Sequence, residues 1–207
     1  MSGNRKGLMI IISGPSGSGK STVKDELMAM SDNFYFSVSA TTRPKKVNEI
    51  DGVDYHYLTQ EEFQRLVDND EFVEYKIYGG SGKSYGTLKS EVMENLDNGK
   101  DVILDVEVQG ALDIIEKYPD AVSIWVLPPD YSSLSDRLYK RERDTAEEIE
   151  RRLAIAKEEI EHFHRYDYIV VNEDGKAAEA AKTIMNIVTC EKLKTKHNND
   201  FYKNFNK

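Results

Sequence analysis

The stretch Gly14-Pro15-Ser16-Gly17-Ser18-Gly19-Lys20-Ser21 constrains this chain more than any other, because it satisfies G-x-x-x-x-G-K-[ST] at every fixed position. It lies between an apolar run, Leu8-Met9-Ile10-Ile11-Ile12, and a helical pattern that opens near Lys20. Strand, glycine loop and helix in that order make a phosphate cradle. The glycines turn successive backbone N–H groups inward, and the helix N-terminus adds its partial positive charge. Lys20 is then placed to reach the outer phosphates of a triphosphate, and the Ser21 hydroxyl to ligate Mg²⁺. A glycine turn after a buried strand is the bland alternative. The full motif in this setting favours a site for ATP built from Gly14, Pro15, Ser16, Gly17, Ser18, Gly19, Lys20, Ser21 and Thr22.

Four runs read as buried strands of a parallel sheet: 8–13, 101–105, 122–127 and 168–171. Each is rich in Val and Ile and precedes a helical pattern, the order of an α/β fold. Between the first helix and Asp101 the texture changes. Phe34-Tyr35-Phe36-Ser37-Val38, Tyr55-His56-Tyr57-Leu58 and the run 71–78 are aromatic and mixed in polarity, which predicts a small half-exposed sheet inserted in the core. Thr59-Gln60-Glu61-Glu62 is a capping box with Leu58 and Phe63 at staple positions, so a helix starts near residue 60. Thr145-Ala146-Glu147-Glu148 is a second one. It opens a helix whose apolar stripe runs Ile149, Leu153, Ala156, Ile160, Phe163. The helical segment before it carries Arg137, Lys140, Arg141 and Arg143, which reads either as a lid over anions or as a solvated charged face.

Composition narrows the partners. A formal charge of −9 argues against broad nucleic-acid or anionic-membrane binding, since either needs a wide basic face. Anion sites must therefore be local. Cys190 is the only cysteine, which excludes disulfide frameworks and thiolate zinc sites and suits a reducing compartment; small apolar filler is its expected role. No apolar run approaches the roughly 20 residues that span a bilayer. A cytoplasmic protein, monomer or homodimer, without nucleic-acid or membrane partners is the expectation.

The loop after the first aromatic strand, Ser39-Ala40-Thr41-Thr42-Arg43-Pro44-Lys45-Lys46 followed by Asp51-Gly52-Val53-Asp54-Tyr55, gathers hydroxyls, three cations and a tyrosine. Taken with Phe72-Val73-Glu74-Tyr75 and Tyr85-Gly86-Thr87, the motifs S-V-S-x-T-T-R, G-V-D-Y, F-V-E-Y and Y-G-T resemble guanylate kinases over about residues 7 to 190. The resemblance implies a three-layer P-loop NTPase fold with a central parallel sheet: a single domain with its core at 1–33, 98–130 and 166–190, a GMP-binding insert at 34–97, a helical lid at 131–165 and an extension at 191–207. It also implies Mg²⁺-dependent phosphoryl transfer from ATP to GMP, and use of dGMP as well. Arg43, Lys46, Tyr55 and Tyr85 correspond to the family's phosphate ligands, and Ser39, Glu74 and Thr87 to its guanine-reading groups. The chemistry agrees for Glu74: guanine presents N1 and N2 donors side by side, which one carboxylate accepts together. Without the resemblance, Glu74 reads as an ordinary exposed strand acid.

Two departures stand out. Lys46 replaces the family's second arginine, giving a point charge in place of a fork, and Asn48 replaces a glycine. The loop before Tyr85 is also longer, by Gly80-Ser81-Gly82-Lys83, and Lys83 is a candidate for the missing donor. Asp105 and Glu107, two apart at the end of a buried strand, project to one side. Either could hold Mg²⁺ through water, Glu107 could touch the GMP nucleoside, or both could merely cap the next helix. Arg141 and Arg152 match the spacing of the family's two lid arginines and, with Lys20 and Lys46, make up the expected catalytic cations. Arg137 and Asn172 fall on the ATP side. His162 and His164 are expected at the surface. A non-catalytic guanylate-kinase-like binding module and a P-loop kinase with another phosphorylated acceptor are the rival readings.

Overall fold

The computed structural model describes residues 6–79, 82–140 and 145–198. Its first half runs β1 (Met9–Ser13), α1 (Lys20–Met28), β2 (Phe34–Phe36), β3 (Ala40–Thr41), β4 (His56–Tyr57), α2 (Gln60–Asp68), β5 (Phe72–Tyr78), β6 (Lys83–Leu88) and α3 (Lys89–Asp97). The second runs β7 (Asp101–Asp105), α4 (Val108–Lys117), β8 (Val122–Leu127), α5 (Tyr131–Tyr139), α6 (Ala146–Ile160), β9 (Tyr168–Val171) and α7 (Ala177–Leu193).

Five strands pair in parallel in the order β2-β7-β1-β8-β9. All five residues of β1 are buried, because a central parallel strand has helices over both faces. Ile10, Ile12 and Ile124 pack with Val23 and Leu27 of α1 and Ile184 of α7 on one face. On the other, Ile11, Leu104 and Trp125 pack with Val92 of α3 and Ala111 and Ile114 of α4. The result is a three-layer α/β/α core.

A second sheet, ordered β4-β3-β6-β5, is mixed: β3 pairs parallel to β4 and antiparallel to β6, which pairs antiparallel to β5. Phe63 of α2 covers it, stacked on Phe72 with ring centroids 4.6 Å apart. The capping box at Thr59 is formed in both directions, and Leu58 joins the same cluster as Phe63.

Several expectations are corrected here. The segment 34–36 belongs to the central sheet, paired with β7 from Phe34↔Asp101 to Phe36↔Ile103. An edge strand is half-exposed whichever sheet it joins, so its mixed polarity did not distinguish the two. Helix α3 was not anticipated, because Val92 is its one buried position and no stripe advertises it. The stripe of α6 ends at Ala156, since the helix stops at Ile160; Ile160 and Phe163 are exposed. At Thr145 half of the expected box forms: its side chain accepts from the Glu148 N–H, while the Glu148 carboxylate turns to Arg151 and Arg152. Cys190 is exposed on α7 and fills no core space, two positions past the buried Val188. His162 and His164 are exposed, at the short 3₁₀ turn that follows α6.

Candidate active site

The glycine loop leaves β1 and enters α1 at the C-terminal edge of the central sheet. Gly14 has φ +144°, and a Cβ there would stand 2.0 Å from the Val126 carbonyl oxygen, so only glycine lets the loop pass β8. Gly19 caps α1 in the left-handed region, where a Cβ would meet the Asn172 side chain at 2.4 Å. The Lys20 amine folds back over the loop and donates to the Gly14 and Pro15 carbonyls. Ser21 and Thr22 are exposed at the mouth of the helix.

Asn172 and Arg137 support this loop from behind. The Asn172 amide donates to the Ser18 carbonyl at 2.9 Å, and Arg137 donates to the same oxygen at 3.0 Å. Arg137 also bonds the Asn172 carbonyl and the Asp174 carboxylate. Both residues thus sit on the loop side of the site, and both spend donors on holding the loop.

Between the small sheet and the C-terminal end of β7 lies a cavity of about 530 Å³. Ser39, Tyr55, Glu74, Tyr85, Asp105 and Glu107 all line it, so six residues drawn from five separate segments of sequence share one wall. Glu74 is 8% exposed, the opposite of an ordinary strand acid. A register shift in the β5–β6 ladder falls between Phe72 and Glu74, the kind of irregularity that re-aims a side chain. Burial raises its carboxyl pKa, opposed by the hydrogen bond from Thr87. The Thr87 hydroxyl donates to it at 2.8 Å and is itself buried. Two contributors were missed in the sequence. Gly110 of α4 lets the carboxylate approach, since a Cβ there would meet Glu74 Oε2 at 2.8 Å. Asp113, one helical turn on, lines the same cavity. Gly110 closes the stretch I-L-D-V-E-V-Q-G, which resembles the family's own but in which only Asp105 and Glu107 were given roles, and Asp113 carries no motif; the packing of α4 against β5 reveals what both do.

At the mouth of the cavity, Tyr55 and Tyr85 meet edge to face, and the Arg43 guanidinium stands 5.2 Å from the Tyr55 ring centre. Arg43 makes a two-pronged pair with Glu49 at 2.8 and 2.9 Å, which holds the guanidinium firmly protonated. Lys46 is largely exposed, its amine 4.0 Å from Glu49. Lys83 shares a face of β6 with Tyr85 and Thr87 and is exposed.

Asp105 pairs in register with Ile12, one residue from the end of β1. Burial raises its pKa, and Lys20 and Lys24 pull it back down. Glu107 occupies the N-cap position of α4 but makes no side-chain cap; its carboxylate accepts from the Tyr78 hydroxyl instead. Merely capping the helix is therefore not what Glu107 does. Arg152 is half-buried on α6, reaching Glu148 at 3.5 Å. Also on α6, Glu159 has its pKa raised by burial and lowered by Lys20, which places a further acid within electrostatic range of the loop; nothing in the sequence had singled it out. Arg141 lies outside the described residues.

Loop and cavity open onto the same end of the parallel sheet, and Asp105 both lines the cavity and feels the charge of Lys20. That arrangement defines a P-loop kinase, with a phosphate cradle beside a separate pocket for a small acceptor. Residues 6–189 match the family described as guanylate kinase. The guanylate kinase of Streptococcus mutans is 48% identical, with 88% of this chain and 87% of that protein covered. That of Carboxydothermus hydrogenoformans is 42% identical over 94% of this chain and 93% of its own length. The crystal structure of guanylate kinase from Anaplasma phagocytophilum superposes with a TM-score of 0.72 at 34% identity, covering 92% of this chain and 89% of that one. The chain belongs to the guanylate kinase family. Among the described residues, no helix is long and apolar enough to cross a membrane.

Proposed function

We propose that this chain transfers the γ-phosphoryl group of ATP to GMP, and to dGMP, giving ADP and GDP or dGDP. The observation that carries the acceptor assignment is the buried Glu74 carboxylate in the wall of the cavity. It can accept from guanine N1 and N2 together, whereas adenine would turn a lone pair toward it. Polar mismatches of that kind discriminate by roughly 10⁴ or more. Ser39 and Thr87 complete the base site, Thr87 acting on the Glu74 carboxylate it already touches. Glu107, in the same wall, lies on the nucleoside side.

The phosphate of GMP binds at Arg43, Tyr55, Tyr85 and Lys46. ATP takes the loop from Gly14 to Thr22, held in shape by Arg137 and Asn172. The acceptor oxygen belongs to a phosphate already largely dianionic near neutral pH, its second pKa being about 6, so no general base is required. The protein's task is to neutralise two charged groups and align them. Lys20 leaves the carbonyls of Gly14 and Pro15 for the outer phosphates, and Arg152 of α6, together with Arg141, supplies the positive charge that closes on the transferring group. The oxygen donors of Ser21 and Asp105 suit Mg²⁺, which is commonly held by one or two carboxylates, waters and substrate phosphates; among the described residues no cluster of three or more metal-ligating side chains offers a protein cage. When bound there, the ion supplies charge neutralisation at the phosphates.

The test is a coupled ADP-release assay with GMP, dGMP, AMP, UMP and a ribose phosphate. Turnover with GMP and dGMP is expected, and turnover confined to a different acceptor would overturn the reading. Lys20→Ala is expected to lower kcat by a factor of 10² or more, on the scale of a lost transition-state charge contact, with the thermal midpoint unchanged. Retained turnover would remove Lys20 from its role.

A further inference from the structure

The Arg43–Glu49 pair is not accounted for by the reaction just described, and its geometry is specific. A guanidinium has five N–H donors in a fixed plane. Arg43 spends three of them: Nη1 on the Pro44 carbonyl and on Glu49 Oε2, both at 2.9 Å, and Nη2 on Glu49 Oε1 at 2.8 Å. Nε–H and the second Nη2–H remain. They lie parallel on one edge, the fork that meets two oxygens of a phosphate.

Glu49 is itself held. Its Oε2 accepts the Lys46 backbone N–H at 2.8 Å and the Tyr57 hydroxyl at 2.8 Å, so four donors converge on the carboxylate. The two side chains of the pair are only 13% and 17% exposed. Tyr55 and Tyr57 flank the guanidinium, with ring centres 5.2 and 5.8 Å away. An exposed ion pair between two long side chains is mobile and weak. Here the carboxylate is tied to the backbone of the loop it orients.

From this we infer that Glu49 is a positioning residue: it fixes the terminal edge of Arg43 so that the remaining edge faces the acceptor phosphate. The inference rests on the proposed role of Arg43. It gains weight from Lys46, where a lysine offers no fork, so two-pronged recognition of the phosphate falls to Arg43. A guanidinium already locked in place loses little freedom when the ligand arrives, and that is how pre-organisation improves binding. The competing possibility is a latch, in which the Glu49 carboxylate imitates the phosphate and must be displaced by it.

Glu49→Ala and the isosteric Glu49→Gln, each alone and combined with Arg43→Ala, separate these cases by steady-state kinetics. Positioning predicts that Glu49→Ala raises KM for GMP roughly ten- to hundred-fold, the scale of a lost charged hydrogen bond. KM for ATP should stay near the wild-type value, with Glu49→Gln intermediate. In the Arg43→Ala background the Glu49 substitutions should add little, because the two residues act as one unit. A fall in KM for GMP would establish the latch instead. Additive effects in the cycle, or equal losses for both substrates, would reduce Glu49 to a structural role. Should the alanine variant not fold, Glu49→Gln carries the same comparison. Wild-type protein inactive on GMP would defeat the functional reading and this inference with it, whereas active wild type with unaffected variants would defeat this inference alone.

Discussion

Glu74 shows how much a single residue's meaning depends on what surrounds it. In the sequence it is one acid in a mixed strand, and only the resemblance to a family assigned it to guanine. In the fold, a ladder irregularity, a glycine in a facing helix and a buried threonine hydroxyl all make room for its carboxylate. Burial raises its pKa, so the folded protein holds the proton more tightly than the unfolded chain does. Stability from this group is therefore fully present below the unfolded value and is lost as pH rises from there through the higher folded one. Glu74→Gln should raise Tm at neutral pH. It should also raise KM for GMP by about ten- to hundred-fold and narrow the preference over AMP. The proposed recognition of guanine by Glu74 needs the ionised form, so KM for GMP in the wild type should climb as pH falls below neutral. Because the GMP phosphate titrates there as well, the measurement is the ratio of wild type to Glu74→Gln across pH. A ratio that does not change with pH would show that the carboxylate charge plays no part.

At the scale of elements, strands buried on both faces were legible because they leave long apolar runs: 101–105, 122–127 and 168–171 match observed strands to the residue. Elements at the edges were not. Strand β2 and helix α3 each present one small buried surface, and neither leaves a period that can be read without the partner it packs on. Capping signals fall between these cases, since a hydroxyl followed by an acid three residues later announces a helix but not what the acid will do. At Thr59 the acid returns to the cap, and at Thr145 it serves two arginines. Removing each cap tests the difference. Thr59→Ala should cost about 1–2 kcal/mol, the upper part of the range for a lost N-cap, and Thr145→Ala nearer half of that. Denaturant unfolding measures both. Equal losses would mean that the reciprocal bond at Thr59 contributes nothing.

For the whole molecule, a net charge of −9 and a site for two polyanions are compatible only if cations are concentrated and the rest of the surface is acidic. The core places Lys20 within electrostatic range of Asp105 at the end of β7, the loop between β3 and β4 carries Lys46 and holds Arg43 over Tyr55 of the cavity lining, and α6 carries Arg152. No one of these segments holds enough positive charge to bind both phosphate chains, so binding should couple them. On the proposed roles, a ligand that joins adenosine to guanosine through five phosphates should engage the loop and the cavity together. At a hundred times its Kd it should stabilise the folded state by about 2.7 kcal/mol, which for a chain of this size is a rise in Tm of roughly 5 to 11 °C. GMP or an inert ATP analogue at the same concentration should give a smaller rise, because each engages part of the cation set. Lys20→Ala should shrink the response to the linked ligand while leaving the response to GMP intact, since Lys20 belongs to the loop and not to the small sheet. A linked ligand that stabilises no more than GMP alone would mean that loop and cavity do not act on two nucleotides together, and that the concentration of charge at this end of the sheet serves some other purpose.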